Sequence, residues 1–384
     1  MSYDVSITEC RTYAGQEVED ALRRVLDPID GLGFVTPGMR VAVKVNLVSA
    51  MKPEAAATVH PAVVCALVKL LRERGAEVVI GDSPGGPFNA VHLRRIYDVC
   101  GMKKAEAFGA SMNEDFSQTD IDYPGAAVAR QFPYTAWLSK ADAIIDLCKL
   151  KTHGMMGLTC AVKNLFGSVP GTQKPEFHYR YPKAEDFANM LVDLFEYSGP
   201  RLCICDAVVG MEGNGPTQGS PREIGCLLAS GNGHALDLVA AELIGLRAKD
   251  VPTLQAAVRR GFIPAGAHEL SVSGDPSRFA VPDFNTVPSQ SSVFFMVLGS
   301  GMLGKAADRI AKRILTPFPK LHAAECVGCG KCAEICPARA ISMDSGRPRI
   351  SRGACIHCFC CQEFCPKGAM KVGRHLLMRV LGKH

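Results

Sequence analysis

Two runs of cysteines near the carboxyl end have spacing that specifies metal chemistry. Cys326, Cys329, Cys332 and Cys336-Pro337 form C-x2-C-x2-C-x3-C-P, and Cys355, Cys358, Cys361 and Cys365-Pro366 repeat it 29 residues later. Three thiolates within seven residues can face one iron–sulfur cubane, whereas a fourth, three residues on and ahead of a rigid proline, points to another. Cys326, Cys329, Cys332 and Cys365 are therefore expected to hold one 4Fe-4S cluster, and Cys355, Cys358, Cys361 and Cys336 a second. Zinc sites use two separated C-x2-C pairs, which doubled triplets ending in C-P do not resemble. Cys360 falls outside the spacing and reads as a spectator. Two one-electron centres in crossover ligation make a relay or a two-electron reservoir, so the chain handles electrons.

A second constellation lies upstream, where polar residues follow apolar runs. Asn46 ends 40–46, Asp82 and Ser83 follow 77–81, Lys149, Lys151 and His153 follow 143–148, and Asp206 ends another run. Ligands of parallel sheets bind beyond the carboxyl ends of the strands. Lys163, Asn164, Lys174, His178 and Arg180 come soon after, and between 149 and 180 the only acid is Glu176. Converging, these cations would form a pocket for a carboxylate or phosphate. Taken singly, each reads as a solvated lysine or a satisfied histidine. Lys149, Lys151, His153 and Lys163 are the candidate catalytic residues. Asn46, Asp82, Asn164, His178 and Asp206 are the candidates for binding a ligand or cofactor, although Asp82 and Asp206 could equally neutralise the lysines in a structural network. GDSPGG and GMEGNGPTQG match neither the phosphate-loop nor the dinucleotide fingerprint and read as turns near a ligand.

The elements that must position these residues alternate. Strands are expected at 40–46, 77–81, 143–148, 201–208 and 224–230, with helices near 61–74, 89–100, 154–166, 184–197 and 234–246. That alternation implies an α/β fold with a largely parallel sheet covered by helices, followed by a small α+β ferredoxin-like domain. The expected division is an α/β body over 1–300, a basic linker over 301–320, the two-cluster domain over 321–373 and a basic tail over 374–384. The body carries 28 Lys and Arg against 33 Asp and Glu, while residues 301–384 carry 15 against 5. That split suits docking of the tail on the body or on an acidic redox partner protein. No signal peptide and no transmembrane segment is expected, so the location expected is cytoplasmic, and nothing suggests nucleic acid as a partner.

KVNLVS, GDSPGG, KLKTHGMMGLTCAVKNLFGSVPG and DAVVGMEGNGPTQG resemble motifs of the family known as domain of unknown function 362, over roughly 40–240. Cys148 stands where that resemblance leads one to expect proline, and reads as a buried residue or a thiol at the site. The resemblance implies an anaerobic or redox-metabolic iron–sulfur protein with an α/β body, and with no settled reaction. The expected function is an oxidoreductase passing electrons between two 4Fe-4S clusters and an anionic substrate or small cofactor in the body. The alternative is a ferredoxin-type carrier whose body docks a partner. An additional organic cofactor, a flavin for instance, is left open.

Overall fold

The computed structural model describes residues 3–287 and 317–373. Its strands, in chain order, are β1 (Val5–Glu9), β2 (Arg40–Val45), β3 (Glu77–Gly81), β4 (Ala110–Met112), β5 (Gln118–Asp122), β6 (Gln131–Thr135), β7 (Ala143–His153), β8 (Gly157–Thr159), β9 (Leu202–Asn214), β10 (Gln218–Ser230) and β11 (Val272–Ser273). Nine of them form one sheet in the order β11-β1-β10-β9-β7-β2-β3-β4, with β8 on β7. The stretch from β9 to β4 is parallel. β10 runs antiparallel to both β9 and β1, so the sheet is mixed and mostly parallel.

Both faces are covered, which is why β2 and β7 are buried along nearly their whole length instead of alternating between buried and exposed. Along β7, Ile145 and Leu147 pack into one core with helices Gly15–Leu26, Pro61–Glu73 and Ala90–Val99. Ile144, Cys148 and Leu150, on the opposite face by the two-residue period, pack into the other core with Ala184–Ser198, Gly233–Leu243 and Pro252–Arg259. The helix starts obey local rules: Asn89 accepts from the His92 amide, Asn232 from the His234 and Ala235 amides, and Pro61 opens its helix.

The region 154–166 departs from the expected helix. His153 Nδ1 accepts hydrogen bonds from the Met155 and Met156 amides, 3.1 Å each, which turns the chain back at once. β8 then pairs antiparallel with β7, Lys151 opposite Thr159, and only Ala161–Asn164 is α-helical. β7 itself runs five residues past the expected end, through the Lys-Leu-Lys-Thr-His segment.

The C-terminal module pairs β12 (Phe318–Leu321) with β15 (Met370–Gly373), and β13 (Ile341–Asp344) with β14 (Arg347–Ile350), beside short helices Lys331–Glu334 and Cys360–Glu363. Residues 318–320, expected as linker, are therefore in a strand of the module, while the basic segment at 304–315 and the tail from 374 lie outside the described residues. Among the described residues no helix is long and apolar enough to cross a membrane.

Candidate functional site

At and just past the carboxyl ends of β2 and β3, and within the longer strands β7 and β9 beside them, the buried polar side chains are knitted to one another; Lys149 and Asp206, expected at strand ends, lie inside β7 and β9. Lys44 pairs with Asp82 at 2.8 Å and donates to Asn164 Oδ1 at 3.0 Å. Asp82 also accepts the Leu47 amide at 2.8 Å, and Asn164 donates to Asp146 at 2.6 Å. Lys151 donates to Asn46 Oδ1 and to the Ala57 carbonyl, both at 2.6 Å. Burial, with Lys163 and Lys149 nearby, brings Lys151 down to about 7. Lys149 is held apart from this set: it pairs with Asp206 at 2.8 Å and donates to the Tyr13 hydroxyl at 2.8 Å. Asp206 further accepts from Tyr13 and from the His60 amide, both at 2.9 Å. For Lys149 the structural ion pair therefore describes the geometry.

The remaining candidates converge where the C-terminal module meets the body. His153 is buried, and because its Nδ1 accepts two amides its proton sits on Nε2, which donates to Glu363 at 2.9 Å. Burial and the Lys163 charge bring His153 down to about 4, so the pair is a neutral imidazole on a carboxylate. Burial alone would raise Glu363, yet the His153 bond and Lys163 bring it to about 2. Lys163 is half-buried and has no hydrogen-bond or ion-pair partner among the described residues; burial lowers it, against the pull of Glu363. Lys174 donates to the Ser83 carbonyl, lies over the Phe166 ring at 5.5 Å, and is brought to about 7 by burial. His178 stacks on Phe187 at 4.3 Å with its Nδ1 unpartnered, and burial brings it to about 3. The hydroxyls of Ser83 and Ser168 are likewise buried without partners.

The module reaches this place through the helix Cys360–Glu363. Gln362 donates to the carbonyls of Asn214 (2.8 Å) and Gly215 (3.3 Å), and Gln218 donates back to the Gln362 carbonyl at 2.5 Å. Phe364 presses so closely on Gly85 that any β-carbon there would overlap its ring. The two glycine-rich stretches are thus seats for the module, one in the turn after β3 and one in the β9–β10 hairpin.

Within the module, Cys326, Cys329, Cys332 and Cys365 line one pocket, and Cys336, Cys355, Cys358 and Cys361 line another. The Sγ atoms of Cys336 and Cys365 each accept a backbone amide, from Ala340 and Ala369, at 3.2 Å. All-sulfur donor sets in apolar walls, with amides aimed at sulfur, fit iron–sulfur cubanes. Cys360 also lines the second pocket, on the side of Lys163.

Residues overlooked in the sequence include Lys44 and Asp146, charged interruptions of apolar strands, which a search for buried charge would have flagged. Tyr13 and Glu363 carried no local signal. Glu363 sits 210 positions from His153, and only the docking joins them. The three thiols of Cys148, Cys160 and Cys205 also gather in the core, with Sγ atoms 3.4 Å (Cys148 to Cys160) and 3.3 Å (Cys160 to Cys205) apart.

Residues 41–242 match the family model described as domain of unknown function 362 (DUF362), and residues 318–366 match that of a 4Fe-4S dicluster domain. A thylakoid-associated protein of Synechocystis is 35% identical over 294 residues, covering 74% of this chain and 88% of its own. Among solved structures, the lactate racemase apoprotein of Thermoanaerobacterium thermosaccharolyticum aligns with a TM-score of 0.41 at 8% identity, over 64% of this chain and 58% of its own. A Thermotoga maritima protein aligns at 0.35 and 13% identity, over 53% and 52%. The chain thus spans just over half the length of each of those two structures. By the extent of the family match and of the Synechocystis relative, the chain belongs to the DUF362 family, here with a 4Fe-4S dicluster domain at its carboxyl side.

Proposed function

We propose that this is an iron–sulfur electron-transfer protein in which Cys326, Cys329, Cys332 and Cys365 hold one 4Fe-4S cluster, Cys336, Cys355, Cys358 and Cys361 hold a second, and an anionic substrate or small cofactor exchanges electrons with them at Lys163. The observation that carries this reading is the seat of the Cys360–Glu363 helix, which places the Glu363 carboxylate on His153 at the end of β7 while Cys361 of one pocket lies in the helix and Cys365 of the other just past it. Bound clusters would supply one-electron transfer. The protein's own groups supply the rest. Of Lys149, Lys151, Lys163 and Lys174, Lys163 alone lacks a partner among the described residues, so its ammonium is free to meet a carboxylate or phosphate. Lys174, titrating near neutrality, is suited to hand a proton to a ligand that gains electrons. His153 keeps Glu363 ionised and oriented, and Phe166, packed edge-on against Phe187, lies against the Lys174 ammonium. A cytoplasmic location and an acidic redox partner for the basic carboxyl region complete the reading; the thylakoid-associated relative makes membrane-surface attachment the rival location.

The test is mass spectrometry of small molecules released from anaerobically purified protein, wild type beside Lys163→Ala. A contact to a charged group worth about 1.5–3 kcal/mol predicts roughly 10- to 100-fold weaker retention in the variant, with iron unchanged. An identical complement of bound molecules in both proteins would reject the site, and clusters with no bound molecule in wild type would favour the carrier without catalysis.

A further inference from the structure

The cysteines that cluster in the body are not part of the module and take no part in the reading above. Cys148 on β7 and Cys205 on β9 face one another in the parallel register, on the same side of the sheet. Cys160 comes from the turn after β8, where it caps Ala161–Asn164 with φ −149° and ψ −129°. Its Sγ lies 3.4 Å from Cys148 and 3.3 Å from Cys205, and the three sulfurs are all within 4.8 Å of one another. All three side chains are closed off from solvent.

Apolar packing asks for none of this arrangement. Two neighbouring strands and a separate turn each deliver a sulfur to one point, closer together than the roughly 3.5–4.0 Å of carbon packing contacts. The turn that carries Cys160 is itself anchored, since buried Asp237 accepts the Ala161 amide at 2.7 Å and the Val162 amide at 3.1 Å. Asp237 thereby fixes the backbone from which the Cys160 side chain projects toward the other two sulfurs.

We propose that Cys148, Cys160 and Cys205 form a second, separate metal site, a buried three-sulfur centre for one thiophilic divalent cation of zinc's kind. Binding forms three metal–sulfur bonds, and the displaced thiol protons leave with solvent. Bonds of about 2.3 Å would place the sulfurs about 4 Å apart, so the cluster would open by a few tenths of an ångström. No fourth His, Cys, Asp or Glu joins the group among the described residues, so the side-chain shell is three sulfurs. Because the thiols are enclosed, the ion enters as the chain folds.

The full chain is therefore produced anaerobically in medium supplied with both iron and zinc, and metals are counted per chain. Wild type should hold about one zinc beside its full iron, with a zinc-edge absorption spectrum showing about three sulfurs near 2.3 Å. Cys160→Ala should hold the same iron and no zinc. Three results would each overturn the proposal: wild type with full iron and no zinc, zinc bound without a sulfur shell, or zinc retained by Cys160→Ala. The wild-type spectrum decides the matter even if the variant fails to fold, and neither outcome bears on Lys163.

Discussion

Lys149 and Lys151 stand two residues apart on one strand and do different work. Lys149 is neutralised by Asp206, so Lys149→Met strands a buried carboxylate and should cost about 3–5 kcal/mol in chemical denaturation, with ligand retention unaffected in whatever protein folds. Lys151 has carbonyl acceptors and no carboxylate partner, and burial brings it from 10.5 to about 7. Between those values the unfolded chain carries a proton that the folded chain has released, so stability rises with pH across that window. This one group supplies at most about 1.4 kcal/mol per pH unit. Lys151→Met should flatten the rise in urea midpoint between about pH 7 and about pH 9.5, leaving the share that Lys174 contributes in the same sense. An unchanged slope would show that Lys151 keeps its proton in the folded chain.

At the scale of elements, the short helix Cys360–Glu363 is the bridge between module and body, and Gly85 is where it presses hardest. A methyl group at Gly85 must displace the Phe364 ring. Gly85→Ala should therefore loosen the docking and raise amide exchange around 153–154 and 214–218, with iron content kept. Adding Phe364→Ala removes the ring and should restore protection; failure of that rescue would mean that Gly85 matters for its own turn. The segment 154–166 illustrates why the neighbouring elements resisted reading from sequence. Its apolar residues permit a helix, and the outcome was decided by two amides turning onto a histidine whose other nitrogen is held by the module.

Over the whole molecule, the proposed crossover of ligands would make the module one cooperative unit. Cys365→Ser should damage the cluster of the first triplet and Cys336→Ser that of the second, each read as loss of about half of roughly eight irons per chain. Cys360→Ala should retain the full iron, and loss of one cluster would show that the ligand register is shifted by one residue. Under the proposed ligation both clusters would be tied to the docked helix, because Cys361 and Cys365 flank Gln362, Glu363 and Phe364. Electron transfer and ligand binding, as proposed, would then meet at one interface.

The cysteine spacing, the α/β alternation and the strand-end positions of Asn46 and Asp82 were legible in the chain, because each depends on short-range periodicity or on a metal's geometric demand, whereas Lys149 and Asp206, expected at strand ends, lie inside the longer strands β7 and β9. What they amount to was settled by long-range pairing. The sheet chose which acid meets which lysine, giving Asp206 to Lys149 and Asp82 to Lys44 and leaving Lys163 with no hydrogen-bond or ion-pair partner among the described residues. Docking brought Glu363 to His153, and the parallel register of β7 and β9 brought Cys205 to Cys148. Buried charge and buried sulfur have no sequence period of their own. Their partners are selected by the packing of whole elements, where an unpaired group costs several kcal/mol and only the assembled fold shows which groups have been paired.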